Sequence, residues 1–106
     1  MTRRGERLNG IRQMKYFVYI LQSLVDGTFY TGQTNNIRAR LHRHNSGFIK
    51  STKAKKPYTL RYFEVFETRK EAMWREWELK KKFTKEQKQQ LVENFETEKI
   101  NTILGT

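Results

Sequence analysis

Residues 16–34 read YFVYILQSLVDGTFYTGQT, and the way this stretch folds decides the rest of the chain. From Lys15 to Leu24 the sequence is apolar on both alternating faces and rich in aromatic and β-branched residues. It is too short for a core helix, so it predicts a strand covered on both sides. Asp26-Gly27 between two such runs is a hairpin signal, because a type I′ turn needs positive φ at both central residues. Phe29 to Gln33 then returns as a second strand. With Asp26 and Gly27 as the loop, Val25 faces Thr28, Ser23 faces Tyr30 and Leu21 faces Gly32. Tyr19 shares the parity of Leu21, which places Tyr19, Tyr30 and Gly32 on one face. The missing side chain of Gly32 is expected to leave space there for a substrate backbone.

Downstream, Thr34 or Asn35 is the expected N-cap of a first helix. Ile37, Leu41 and His44 recur at helical spacing until Asn45-Ser46-Gly47 ends it. Arg40 lies one turn before His44, at the edge of that stripe and turned toward the sheet. Residues 48–57 carry Lys50, Lys53, Lys55 and Lys56 without a hydrophobic period, and predict a basic loop. Tyr58 to Phe66 is a third strand. Thr68 followed by Glu71 forms a capping box that opens the strongest helix, running to about Phe83. A helical wheel puts Ala72, Leu79, Phe83, Met73 and Trp77 on one broad apolar arc, with Glu76 in its middle. A carboxylate pointed into a buried face is costly unless it has a partner. Thr84 to Asn94 predicts a short last helix. The domain is therefore expected over 14–94, preceded by a flexible basic arm, 1–13, and followed by a C-terminal tail, 95–106, in which Ile100, Ile103 and Leu104 are able to dock.

A chain of 106 residues without cysteine has room for one core and no disulfide, thiol nucleophile or zinc ribbon. Any metal must be held by oxygen or imidazole, and a reducing cytoplasm is the expected setting. The net charge of +11 sets up a field that attracts polyanions, so nucleic acid is the expected partner. No apolar run approaches the roughly 20 residues of a membrane span, and the basic N-terminus is not followed by a signal core.

Five residues invite chemistry. Glu76 reads either as a structural ion pair, with Arg40 or a lysine, or as a Mg²⁺ ligand at the floor of a basic cleft, since Mg²⁺ commonly takes one or two carboxylates plus substrate phosphate oxygens. Arg40 reads as a solvated helix residue or as a cation for the charge that grows on a phosphate. His44 is a boundary histidine, a proton relay or a phosphate contact. Tyr19 and Tyr30 are core aromatics, or phenols that lose a proton easily beside a metal and cations, so that one deprotonates water. Hairpin register and helical wheels aim all five toward one side of the sheet.

Phe17-Val18-Tyr19, then Tyr30-Thr31-Gly32, then Arg40, His44 and Glu76 in EAMWREWELKKK, together resemble the GIY-YIG nuclease domain over Lys15 to about Asn94, and most of all its small stand-alone bacterial members. That resemblance implies an α/β domain of the α+β type, with a central three-stranded antiparallel sheet flanked by helices. It implies phosphodiester hydrolysis with one divalent metal, Mg²⁺ or Mn²⁺, and no small-molecule cofactor. By position it makes Glu76 the metal ligand, Arg40 the phosphate-stabilising cation, and Tyr19 and Tyr30 the motif tyrosines, one of them the general base, with His44 assisting. Phe17 and Thr31 replace a motif glycine and isoleucine. Gln33 stands where repair nucleases of the family carry lysine, and Lys88 where several branches carry asparagine.

The expected function is a metal-dependent endonuclease acting on DNA, structure-specific and of low sequence specificity. The lysines at 50, 53, 55 and 56 and the arginine-rich arm would contact phosphates and not bases. Two other classes compete: a module that keeps the fold and binds DNA or RNA without cutting, and a basic adaptor for an acidic protein.

Overall fold

The computed structural model describes residues 14–105; the basic arm expected over 1–13 lies outside them. Three strands, β1 (Tyr16–Ser23), β2 (Phe29–Thr34) and β3 (Tyr58–Phe66), form an antiparallel sheet in the order β2-β1-β3. Helix α1 (Ile37–Asn45) follows β2, and α2 (Arg69–Lys81), α3 (Lys85–Glu93) and α4 (Thr97–Leu104) follow β3. The architecture is the expected one. Central β1 is covered on both faces, with Val18, Tyr19, Ile20 and Leu21 all buried in succession, which is why its sequence lacks a polar alternate.

The hairpin closes differently from expectation. Tyr19 pairs with Gly32 and Leu21 with Tyr30, a slip of two residues from the two-residue loop. Within the loop only Gly27 adopts positive φ, at +76°, and no residue other than glycine does so among the described residues, so a type I′ turn is not formed. Ser23 instead organises a longer loop. Its hydroxyl accepts the N–H groups of Val25 at 3.0 Å and Asp26 at 3.3 Å, while Asp26 accepts the N–H of Thr28 at 3.1 Å. Because the slip is an even number of residues, every side chain keeps its predicted face.

Each face of the sheet has its own core. Tyr19, Leu21, Ile37, Tyr58 and Leu60 cluster on one, joined by Leu41 of α1 and by Ile100, Ile103 and Leu104 of α4. The segment expected as a tail is therefore a docked helix. Val18, Ala72 and Leu79 cluster on the other face, with Phe83 and Leu91. Helix α1 begins one residue later than expected, at an Asn36 cap whose side chain accepts the N–H of Ala39 at 3.0 Å. The Thr68–Glu71 capping box opens α2 as predicted, and a second box, Thr84 with Gln87, opens α3.

The apolar arc of α2 needs correction. Ala72 and Leu79 are buried, but Met73 is 53% exposed and Trp77 42%. The sheet covers the opposite flank of the Ala72/Leu79 stripe. There Arg75 turns inward and its guanidinium donates twice to Glu64, both at 2.9 Å, and once to Glu78 at 3.2 Å. A satisfied fork of hydrogen bonds lets an arginine take the place the wheel gave to tryptophan.

Candidate active site

Tyr19, Tyr30 and His44 meet on the α1 face of the sheet. β1 delivers Tyr19 and neighbouring β2 delivers Tyr30, while His44 comes from the last turn of α1. His44 is wholly buried, against expectation for a boundary residue or a phosphate contact. The rings of Tyr30, Tyr19 and Tyr58 enclose it at centroid distances of 4.9, 5.9 and 6.1 Å.

Its two ring nitrogens are both engaged, Nε2 with the Tyr19 hydroxyl at 3.0 Å and Nδ1 with Thr52 Oγ1 at 2.8 Å. Thr52 donates its own hydroxyl hydrogen to the carbonyl of Ile49, at 3.3 Å, and so is left to accept from Nδ1–H. That fixes the tautomer, with Nε2 as the acceptor of the Tyr19 hydroxyl hydrogen. The result is a directed chain, Tyr19 to His44 to Thr52 to Ile49.

The protonation states agree with this chain. Burial, then Tyr30, and more weakly Glu76, push the Tyr19 phenol well above the ordinary tyrosine value, against the opposing charge of Arg40. The expectation of a readily ionised phenol is thus reversed at Tyr19, because desolvation outweighs the nearby cation. Burial, then Arg40, lower His44 from 6.5 to about 4, so the imidazole is neutral. A base whose folded value lies below its unfolded value stabilises the fold above the unfolded value and loses that contribution as pH falls. Stability should therefore drop between pH 6.5 and about 4, by roughly 3 kcal/mol across the window. Denaturant unfolding at about pH 7 and about pH 4.5 measures the loss, and the His44 ring resonances should stay unmoved over most of that range. A His44 resonance that titrates like a solvated imidazole would refute the buried tautomer.

The space above Gly32 is already filled. A Cβ there would stand 2.5 Å from the Tyr19 hydroxyl oxygen, 2.7 Å from Tyr19 Cζ and 3.2 Å from Tyr30 Cε2. Gly32 therefore makes room for the Tyr19 phenol and not, as expected, for a substrate backbone. Arg40 is half-buried at the rim. It forms no ion pair with a carboxylate among the described residues, yet its charge acts on both Tyr19 and His44.

Glu76 does not join the others on their face. Helix α2 packs on the opposite side of the sheet, with Val18, and Glu76 Oε1 accepts from Gln33 Nε2 at 3.2 Å. Its Oε2 pairs with Lys80 at 3.0 Å, so the ion-pair partner is this lysine and not Arg40. Gln33 sits on edge strand β2 next to Gly32, so phenol and carboxylate approach the edge from opposite faces, and the Glu76 charge is felt at the Tyr19 hydroxyl. The site straddles the β2 edge.

The basic loop has more structure than expected. Thr52 is buried beneath it and Lys53–Lys55 form a 3₁₀ turn. Lys55 pairs with Asp26 at 3.2 Å. Lys50, Lys53, Lys55 and Lys56 are all exposed on a segment that Thr52 ties to His44. Thr52 was missed in the sequence because a lone threonine in a lysine-rich stretch has no periodic signal. Lys80 had one, its i,i+4 spacing from Glu76.

The oxygens around Glu76 suit a hard cation. No group of three or more His, Cys, Asp or Glu gathers among the described residues, which rules out a metal cage built from such side chains there. Gln33 Oε1 and Thr31 Oγ1, alternate residues on the α2 face of β2, are buried without hydrogen-bond partners. One carboxylate beside an orphaned amide oxygen fits Mg²⁺ or Mn²⁺, which keep several ligand positions for water and phosphate.

The GIY-YIG catalytic domain family model matches residues 15–90. The chain is 42% identical over 80 residues to UPF0213 protein SH2523 of Staphylococcus haemolyticus, covering 74% of this chain and 95% of that one. It is 43% identical over 90 residues to UPF0213 protein CPE1444 of Clostridium perfringens, covering 77% and 95%. The solution NMR structure of UPF0213 protein BH0048 from Bacillus halodurans superposes with a TM-score of 0.51 at 36% identity, over 84% of this chain and 94% of that one. The family match over most of the chain and relatives above 40% identical agree: this chain belongs to the GIY-YIG family of nuclease domains.

Proposed function

We propose that this chain is a cytoplasmic, divalent-metal-dependent endonuclease that hydrolyses phosphodiester bonds in DNA, reading structure more than sequence. The observation that carries the reading is the directed Tyr19–His44–Thr52 chain set beside a half-buried Arg40 that has no carboxylate partner among the described residues. A guanidinium held without a counter-ion is matched to an anion that arrives with the substrate.

Glu76 would hold the metal, with the amide oxygen of Gln33 beside it; such an ion, when bound, supplies Lewis-acid stabilisation of phosphate oxygens. Lys80, paired with Glu76 at 3.0 Å, is its competitor. Arg40 neutralises charge growing on the non-bridging oxygens. Tyr19, buried and protonated, is a positioning residue whose hydrogen bond orients the His44 ring that burial and Arg40 keep neutral. Tyr30 is less buried and packs on the His44 ring; once its phenol has given its proton to solvent, the phenolate is the group placed to accept a proton from the attacking water. The exposed lysines of the 50–56 segment hold backbone phosphates.

The test is cleavage of labelled branched, nicked and single-stranded DNA by the wild-type chain with Mg²⁺ or Mn²⁺, against the same mixture with chelator. Cutting is expected with metal only, and binding should weaken steeply with salt. A chain that binds but leaves all of these substrates and structured RNA intact is the non-cleaving module instead.

A further inference from the structure

Helix α2 carries two adjacent rows of side chains one turn apart. Arg69, Met73, Glu76 and Lys80 form the first, and Lys70, Trp74, Trp77 and Lys81 the second, each at i, i+4, i+7, i+11 spacing. The second row puts two tryptophans between two lysines over about 16 Å of helix. It is no part of the core: Trp74 is 62% exposed, and its indole stacks on that of Trp77 with centroids 5.1 Å apart and planes at 24°. Lys82 lies 5.5 Å from the Trp77 ring centroid. Arg69, Lys70, Met73 and the two indoles line a groove of about 640 Å³. Among the described residues no carboxylate pairs with Arg69, Lys70 or Lys81.

Exposed indoles are unfavourable in water unless something covers them. The carboxylates beside Trp74 are engaged elsewhere, Glu71 in the cap of α2 and Glu78 with Arg75, and the surrounding cations say what covers the indoles. A second copy of a chain with net charge +11 brings repulsion to this face, and so does the chain's own arginine-rich N-terminal stretch. A polyanion with flat apolar faces meets both requirements, phosphates on the lysines and bases on the indoles. The row is also one residue position round the helix from Glu76.

We propose that the Lys70–Trp74–Trp77–Lys81 row is a binding surface for an unpaired nucleic-acid segment, whose bases stack on the tryptophans next to the cleavage site. It rests on the nucleic-acid part of the proposed function, and it gives the site a preference for substrates with a single-stranded or flipped-out portion flanking the cut. Fully paired duplex offers no base faces to this row and is bound through phosphates alone.

Trp74 and Trp77 are the only tryptophans in the chain, so intrinsic tryptophan emission reports on this surface alone. The wild-type chain is titrated, in chelator so that cleavage does not intervene, with a single strand of about 12 nucleotides and with an abasic strand of the same length and charge. The expected result is that the base-bearing strand quenches emission and binds about tenfold or more tighter than the abasic one. Trp77→Ala should lose most of that difference and Trp77→Phe should keep part of it. Equal binding of both strands, emission unchanged at saturation, or emission that answers only to a polyglutamate of equal charge would overturn the proposal. So would a dimer, seen by sedimentation, that Trp74→Ala dissolves. These readouts do not depend on cutting, so an inactive chain that still discriminates the two strands sinks the nuclease reading and leaves this one standing.

Discussion

Glu76→Gln is expected to reduce cleavage by about 10³-fold or more while leaving fold and nucleic-acid affinity in place. The substitution keeps shape and removes charge. Its hydrogen bond with Gln33, at 3.2 Å, is replaceable by a carboxamide. The lost pair with Lys80 is an i,i+4 contact with a 45% exposed lysine side chain, worth about 0.3–0.5 kcal/mol. Binding should hold or tighten slightly, since Lys80 is released to meet phosphate. A second readout is free of turnover: Mn²⁺ should raise the melting temperature of the wild-type chain and not that of the variant, because only an ion that binds the folded chain stabilises it. Cleavage by Glu76→Gln at the wild-type rate would remove Glu76 from the chemistry.

Much of this arrangement was legible in the residues. A two-residue Asp-Gly loop sets the hairpin two residues out of register, yet it gives the right faces, since faces depend only on parity and the slip is even. The turn itself departs from the Asp-Gly expectation because Ser23, outside that signal, captures two N–H groups. The capping box at Thr68 located α2, but a wheel reports an arc and not which flank of it a neighbour covers. Arg75, satisfied by Glu64 and Glu78, took the inner flank, and Met73 and Trp77 were left outside. The same blindness put Glu76 on the tyrosine face, when α2 lies on the other side and reaches the site only across the β2 edge. Residues 95–106 read as a tail because an eight-residue helix without a side-chain cap is marginal alone, even with Ile100, Ile103 and Leu104 at helical spacing, and tertiary docking of those three supplies what propensity does not. Thr52 lay beyond sequence reasoning, since its role depends on a buried ring nitrogen that only the fold places beside it.

Arg40→Ala is the second large effect, a loss of about 10²–10³-fold in cleavage, the scale of removing one preorganised charge donor from a transition state. What sets it apart from general damage to the site is its sign on stability in acid. In the wild-type chain Arg40 adds to burial in holding His44 down at about 4, so protonation of His44 is opposed by a neighbouring positive charge. Removing that charge lets the folded-state value rise toward 6.5, its ordinary position. The gap between folded and unfolded values narrows, and with it the stability lost on acidification. The variant should therefore cut far more slowly than the wild type while unfolding less readily relative to its own neutral-pH stability at about pH 4.5. Arg40→Lys should keep the acid sensitivity through its charge and recover cleavage only in part, since an ammonium lacks the planar fork that grips two phosphate oxygens. An Arg40→Ala chain with undiminished cleavage would place the phosphate elsewhere. One with lost cleavage but an unchanged acid profile would break the link between Arg40 and the buried Tyr19–His44 pair on which the site is built.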